Sequence, residues 1–305
     1  MIARIITGKA LAAIILAIAC ISPPASAQTA PACDRACLKG IADQYLDAML
    51  KHDPKGLPVA ANVKATENGL ALKLGEGFWT TAAAGNGYRM YALDPETGGA
   101  AVQAVLSEKG DLALFLLRLK VADKKITEVE TIVARKGVAS GAIWAPETLK
   151  APSEFFTTPI RLAEQNSRLE LMAAADAYWR AFETNGTPDY HPAPFLPNTN
   201  RWENGLQTTN RKAGTFGPYT AAEQFDRGLF QGRAFPDRRF PVVDTETGVV
   251  LSIVRFGRKP GAKASSNVPE NVEPIAAEIF SVRAGRIQEV QVVMTLLPPN
   301  TPTGW

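Results

Sequence analysis

The sequence predicts an α+β fold built as two tandem cone-shaped repeats, each an N-terminal helix packed on a curved, mostly antiparallel sheet. Three observations carry this expectation. An apolar stripe at helical spacing occurs twice, each stripe is followed by β-prone runs, and short landmarks recur in one order behind both. The composition fits a globular chain: 305 residues, 46% hydrophobic and 21% charged, exclude collagen-like, coiled-coil and fully disordered classes. A formal charge of +3, from 33 basic and 30 acidic residues, supplies no strong field for nucleic acid, and no nucleic-acid partner is expected.

Residues 1–27 read as an export signal. Arg4 and Lys9 precede an apolar run over 10–21, and Ser22-Pro23-Pro24-Ala25-Ser26-Ala27 ends on Ala-x-Ala. A basic start, a short apolar core and that ending predict cleavage after Ala27 and a periplasmic or secreted location. The run is shorter than the ~20 residues of a membrane span, so no span is expected. The alternative is a lipoprotein anchored at Cys20, since Ala17-Ile18-Ala19-Cys20 resembles a lipobox without its usual Leu.

Cys33 and Cys37 remain after cleavage. In an oxidising compartment the expectation is a structural disulfide. Four-residue spacing inside a regular helix suits a disulfide poorly, so Cys33 should lie in the unwound lead-in. Buried free thiols and a redox-active pair are the alternatives.

The first repeat is expected over 33–136. Leu38, Ile41, Ala42, Tyr45, Leu46, Met49 and Leu50 share one helical face. Runs over 100–106, 112–121 and 126–134 are β-prone and separated by turn residues. Residues 137–168, with Pro146, Pro152 and Pro159 beside Trp144, Phe155 and Phe156, read as a packed linker. The second repeat, 169–300, opens on Leu171, Ala174, Ala175, Tyr178, Trp179 and Phe182, and its strands are expected at 248–256, 275–282 and 287–296.

The landmarks tie the two together. Ala42-Asp43-Gln44-Tyr45 matches Ala175-Asp176-Ala177-Tyr178, Glu67-Asn68-Gly69 matches Glu203-Asn204-Gly205, Asp94-Pro95-Glu96-Thr97-Gly98 matches Asp244-Thr245-Glu246-Thr247-Gly248, and Ile126-Thr127-Glu128-Val129 matches Ile287-Gln288-Glu289-Val290. The separations grow along the chain, 133, 136, 150 and 161 residues, so the second repeat is enlarged before its Glu-Thr-Gly and again at 259–273, a Gly/Ser/Pro/Asn-rich loop expected to be mobile. Added loops draw functional attention to the second repeat.

Cys33-Asp-Arg-Ala-Cys37-Leu38, the two Glu-Asn-Gly marks, Ile126-Thr-Glu-Val-Glu130, Arg201-Trp-Glu-Asn-Gly-Leu-Gln207 and Arg238-Arg-Phe-Pro-Val-Val-Asp244 resemble the SnoaL-like branch of the nuclear-transport-factor-2-like superfamily. The nearest likeness is to secreted bacterial and fungal proteins with a SnoaL-like domain of unknown function. The resemblance spans nearly all of the chain after the leader. It implies a cone-shaped sheet wrapped on a helix with an apolar pocket at the open end. That superfamily includes isomerases, dehydratases, epoxide hydrolases, polyketide cyclases and lyases, together with members that have no known catalysis. Fold alone does not choose among them.

Candidate chemistry concentrates in the second repeat. His191, in Asp189-Tyr190-His191-Pro192, is a candidate general base or proton donor, set against an ordinary exposed loop histidine. Asp226, on a short helix expected after Gly217-Pro218, is a candidate inward-facing base. The competing picture is a solvated helix with a Glu223–Arg227 pair. Arg239 is the candidate charge stabiliser, with Arg238, Tyr219, Trp202 and Phe216 as ligand contacts; pairing of either arginine with Asp237 or Asp244 is the structural alternative. Aromatic residues such as Trp79, Tyr88, Tyr91, Trp202 and Phe216 are more often core than pocket. His52 sits at a helix end, where a cation complements the dipole.

No Walker loop, dinucleotide fingerprint, His-Glu-x-x-His or Gly-x-Ser-x-Gly occurs in a supporting context, so neither cofactor nor metal is expected. Two functions follow: a cofactor-independent lyase, dehydratase or isomerase of a small apolar or aromatic molecule, or a non-catalytic ligand-binding or assembly module of the cell envelope. A homodimer through the outer sheet face is the expected assembly.

Overall fold

Asp34 starts helix α1 (Arg35–Leu50) by accepting a bond from the Cys37 amide at 2.9 Å. The Cys33–Cys37 disulfide joins the residue ahead of this cap to the first helical turn, so Cys33 does lie in the lead-in. The computed structural model describes residues 33–137, 143–214, 216–261 and 271–305. The leader at 1–27, the Cys20 alternative and the 262–270 portion of the expected mobile loop lie outside the described residues.

The expected stripe of α1 is buried from Leu38 to Met49, with Leu50 partly buried. Behind it lies a curled sheet of β1 (Val59–Glu67), β2 (Leu70–Ala71), β3 (Ala82–Ala83), β4 (Arg89–Asp94), β5 (Gly99–Glu108), β6 (Asp111–Ala122) and β7 (Lys125–Arg135). Its order is β2-β1-β7-β6-β5-β3, with β4 also on β5. All pairs are antiparallel except β1 on β7.

The connection carries a short helix, α2 (Glu154–Thr157), and buries Ala145, Leu149, Phe156 and Ile160. Helix α3 (Arg168–Thr184) opens on a capping box between Ser167 and Glu170 and buries Leu171, Ala174, Ala175, Tyr178, Trp179, Ala181 and Phe182. There follow β8 (Phe195–Glu203), β9 (Leu206–Gln207), α4 (Ala221–Asp226), β10 (Arg233–Ala234), β11 (Arg239–Asp244), β12 (Val249–Arg255), β13 (Gly257–Arg258), β14 (Glu273–Arg283) and β15 (Arg286–Leu297). The second large sheet runs β11-β12-β14-β15-β8-β9, and here too one pair is parallel, β8 on β15. The strands β10 and β13 form a separate ribbon.

Three apolar clusters place the layers. One joins α1 to the inner face of the first sheet, and a second joins α3 and α4 to the inner face of the other. The third unites the two outer faces: Met90, Leu114, Leu116 and Ile132 pack with Leu251, Ile253, Ile279 and Val293. The fold is thus mixed α+β, with curled sheets back to back and helices outermost. Each outer face is covered by the other half of the same chain, so the expected homodimer through that face finds no support and the pairing is internal.

The two Glu-Thr-Gly hairpins lock this arrangement. Asp94 and Asp244, both buried, start them and reach across the interface. Asp244 Oδ2 accepts from the Leu93 amide and Asp94 Oδ2 from the Val243 amide, each at 3.0 Å. Arg35 grips Asp244 with two bonds of 2.7 and 2.8 Å, while Arg168 donates to Asp94 at 2.7 Å. An arginine in the first turn opposes the helix dipole. At both helix starts that cost is offset by a buried carboxylate in the opposite half.

Candidate functional site

Both sheets carry a glutamate on the inner face, Glu67 in the first and Glu203 in the second, and the second adds a buried acid and a buried cation. Glu278 sits in β14 among Ile275, Ala276, Ala277, Ile279 and Phe280, and is 2% exposed. Strand alternation puts it on the face of Ala276 and Phe280, toward α3. Arg201, 3% exposed, and Glu203 project from β8 on the same side. Tyr178, fully buried on α3, faces both Arg201 and Glu278.

The guanidinium is held from two directions. Its Nη2 lies 3.1 Å from Glu203 Oε1, and Nη1 donates to Gln224 Oε1 at 3.0 Å. Glu203 also accepts from the Thr208 hydroxyl at 2.9 Å, and Gln224 donates to the Thr208 carbonyl at 2.6 Å. Rings surround the set. Tyr178 contacts Phe280, Phe182, Phe225 and Phe195 at centroid distances of 4.9, 5.0, 5.6 and 5.9 Å, while Phe230 lies 5.0 Å from the Arg201 guanidinium carbon.

Burial dominates the electrostatics. It pushes the Glu278 carboxyl up to about 8, because Arg201 offsets only part of the desolvation and Glu203 adds a like charge. Burial also raises the Tyr178 hydroxyl well above its ordinary range, and against its own burial the Arg201 guanidinium is pulled upward by Tyr178, Glu203 and Glu278. Tyr178 Oη sits between the Glu278 carboxyl and the Arg201 guanidinium and pairs with both, at looser geometry than an ordinary hydrogen bond. A carboxyl kept neutral near physiological pH, beside a phenol and a fixed cation, can donate or accept a proton at a bound molecule.

The candidates from the sequence fall elsewhere. His191 is exposed on the loop before β8. Asp226 is exposed at the end of α4, facing outward and accepting from the Tyr190 hydroxyl at 3.1 Å. Arg239 leaves the inner face altogether: it donates to Glu130 of β7 at 2.6 and 3.2 Å between the sheets, where Arg118 and Trp305 also pack. Arg238 fastens β11 to α3 through Asp176 and Glu183 at 3.1 and 3.4 Å. Tyr219 lies under Arg227, 4.0 Å away. Trp202 is half-buried on the β8 face opposite Arg201 and Glu203, and Phe216 is half-buried in the segment before α4. Glu223 caps α4 with Thr220, and the Arg227 charge also acts on it. His52 binds the Trp79 carbonyl through Nδ1.

Of the residues that do converge, Tyr178 was legible only as core, and Arg201 and Glu203 only as a family landmark. Glu278 had a signal of its own: an acid at an inner-face position of a β-prone run is expensive unless it is used or paired. Among the described residues, no group of three or more His, Cys, Asp or Glu side chains could hold a metal ion, and no helix is long and apolar enough to cross a membrane.

These features define a mixed α+β protein with helix-backed curled sheets and a buried acid–cation set on the inner face of the second sheet. The chain belongs to the family described as "Domain of unknown function (DUF8021)", whose profile matches residues 32–133 and 164–294. Among solved structures it is similar to a protein of unknown function with a cystatin-like fold from Methylobium petroleophilum PM1. That likeness has 14% identity and a TM-score of 0.30, and covers 35% of this chain and 84% of that one. No curated protein matches the chain.

Proposed function

We propose that this chain is an exported tandem SnoaL-like protein whose C-terminal half binds a small apolar or aromatic molecule and performs cofactor-independent acid–base chemistry on it, as a lyase, dehydratase or isomerase. The observation that carries the reading is Glu278: a buried carboxyl with its proton affinity raised into the working range of a general acid or base, enclosed by rings and faced by Tyr178 and Arg201. The duplication is supported by the reciprocal Arg35–Asp244 and Arg168–Asp94 grips, whose two aspartates are the ones that the sequence landmarks match to each other. Export is supported by the leader pattern together with the Cys33–Cys37 disulfide, a bond that persists in oxidising compartments. A mature protein beginning at Gln28 is the expected product in an intact-mass measurement.

Tyr190, Phe230, Phe240 and Phe256 are the partly buried aromatics of the inner cluster and the edge at which a ligand would enter, whereas Phe182, Phe225 and Phe280 are enclosed. The test is a thermal-shift screen of small aromatic and apolar carbon acids, followed by hydrogen–deuterium exchange of each bound molecule in D2O. The protein should catalyse exchange at the ligand's acidic carbon, and Glu278→Gln should slow that exchange by about 10²-fold or more. Equal exchange by the Gln variant would remove Glu278 from the chemistry. Binding without exchange would leave the non-catalytic module, and no binding at all would end the pocket reading.

A further inference from the structure

The Glu-Asn-Gly turn of each half is crossed by a segment that follows the last strand of the other half. Asn68 and Asn204 clamp their own sheets alike, Asn68 to Val133 and Asn204 to Met294, each through both ends of the side-chain amide. The glycine beside each leaves room for the crossing backbone. A Cβ on Gly69 would lie 2.2 Å from the Pro302 carbonyl oxygen, and one on Gly205 would lie 2.4 Å from that of Ala145. The two crossing segments are fastened differently. Residues 143–148 bond their turn by the Ala145 amide to the Asn204 carbonyl at 3.0 Å and by the Thr148 hydroxyl to the Gly205 carbonyl at 2.5 Å. Residues 298–305 contain Pro298, Pro299 and Pro302, which have no amide donor. Among the described residues, one hydrogen bond joins this segment to the N-terminal half, from the Trp305 indole N–H to the Thr66 hydroxyl at 3.0 Å.

The indole lies among cations. Lys64 Nζ and the Arg118 guanidinium carbon are 4.1 and 4.2 Å from a Trp305 ring centre, and the Arg239 guanidinium carbon is at 5.9 Å. Arg118, 3% exposed, donates at 2.9 Å to Glu130, the carboxylate that Arg239 grips from the other half. A ring on cations, one side-chain bond and the buried Thr303 therefore hold residues 298–305, where β15 is held by a full ladder. Segments with so few backbone bonds open at a fraction of the global stability. We propose that residues 298–305 form a strap that opens while the sheets stay folded, and that the groove beneath it is a site for an indole-type ring, occupied in the closed state by Trp305. The ligand class follows from the contacts: the Thr66 hydroxyl accepts a ring N–H, and Lys64 and Arg118 favour an electron-rich face. An aromatic cation is disfavoured by the same positive groups, and a saturated ring offers them no such face. Opening uncovers the Arg118–Glu130–Arg239 contact between the halves, so the strap and whatever replaces it bear on how firmly the halves are joined. The C-terminal pocket has no part in this inference.

The test uses the full chain carrying Thr303→Cys together with Ala277→Cys, a fully buried position of β14 that reports on the sheets. Maleimide labelling is followed at each position by peptide mapping. Position 303 should label at least about 10²-fold faster than position 277, whose slow rate in the same molecule shows that the fold is intact. Adding Trp305→Ala should speed position 303 by about a further tenfold and leave position 277 unchanged. Millimolar indole should also speed position 303, at least about threefold and saturably, by holding the open state. Benzothiophene, of similar size without the N–H, should do less, and Thr66→Val should abolish the difference between the two. Equal labelling at 303 and 277 would overturn the strap. Fast labelling at 303 that indole leaves unchanged would overturn the ring site, and equal effects of indole and benzothiophene would overturn the ligand class.

Discussion

The interiors of the two halves differ at positions that strand register makes equivalent. In the N-terminal half Leu117 of β6 lies between Val102 and Thr131, and Thr131 in turn faces Glu67 on the parallel strand β1. In the C-terminal half Glu278 lies between Ser252 and Val292, and Val292 faces Glu203 on β8. Two residues before these glutamates stand Ala65 in one half and Arg201 in the other. The first interior closes as a core around the Tyr45–Trp79 hydrogen bond, with Glu67 at its edge paired to the half-exposed Arg135. The second keeps an acid, a cation and a phenol among rings. The difference teaches where to look: both halves bury charge between the sheets or at the junction, but the C-terminal half alone keeps a fully buried acid and cation beneath its helix.

The strongest blow to this comparison is Arg201→Ala. Removing the cation strands Glu203 in the interior and should cost about 3–5 kcal/mol in chemical denaturation. The matched change in the other half, Ala65→Val, adds bulk to an apolar wall and should cost no more than about 1–2 kcal/mol. Comparable losses would mean that the charged set is ordinary packing.

The contrast was only partly readable beforehand. Both helical stripes, the three closing strands of each half and the short helix α4 were visible because period and turn chemistry are local. The strands β1 and β8 were not, since each pairs in parallel with the last strand of its half, a long-range contact. The strand β1 also buries few of its residues and shows little alternation. Arg239 was misplaced because its phase on β11 depends on a register irregularity between Arg239 and Val242, and the Glu130 partner comes from the other sheet.

The likeness of the halves can be tested at the hairpins. Asp94→Ala and Asp244→Ala should each cost about 2–3 kcal/mol, because each strands a buried amide, Val243 or Leu93, and frees an arginine that is about a quarter exposed. The double variant should lose less than the sum, as the two carboxylates brace the same junction. Very unequal single losses would show that one half carries the interface.

A smaller effect separates the interiors by pH. The folded state holds the Glu278 proton more tightly than the unfolded chain does, with a midpoint near 8 against an ordinary 4.5. Between those values the folded state therefore binds more protons, and stability falls as pH rises. The slope should approach 1 kcal/mol per pH unit inside that window and level off above it. Glu278→Gln should remove most of it in denaturation measured from pH 5 to 8. Glu289, buried between the sheets and also raised, should account for the remainder. An unchanged slope would place the titration outside the inner set.

The least perturbing substitutions bear on which part of the C-terminal half is functional. His191 and Asp226 are both exposed, His191 on the loop before β8 and Asp226 where Tyr190 donates to it at 3.1 Å. Neither contributes a side chain to the aromatic shell or to the Arg201 network. His191→Ala and Asp226→Asn should each change stability by no more than about 0.5 kcal/mol and leave the affinity for a ligand found in the thermal-shift screen within twofold. A large loss of binding in either would move the active face from the interior of the sheet to the rim formed by α4 and the 189–194 loop. It would also make the buried acid a structural charge, and the contrast with the N-terminal half would then concern loops and not interiors.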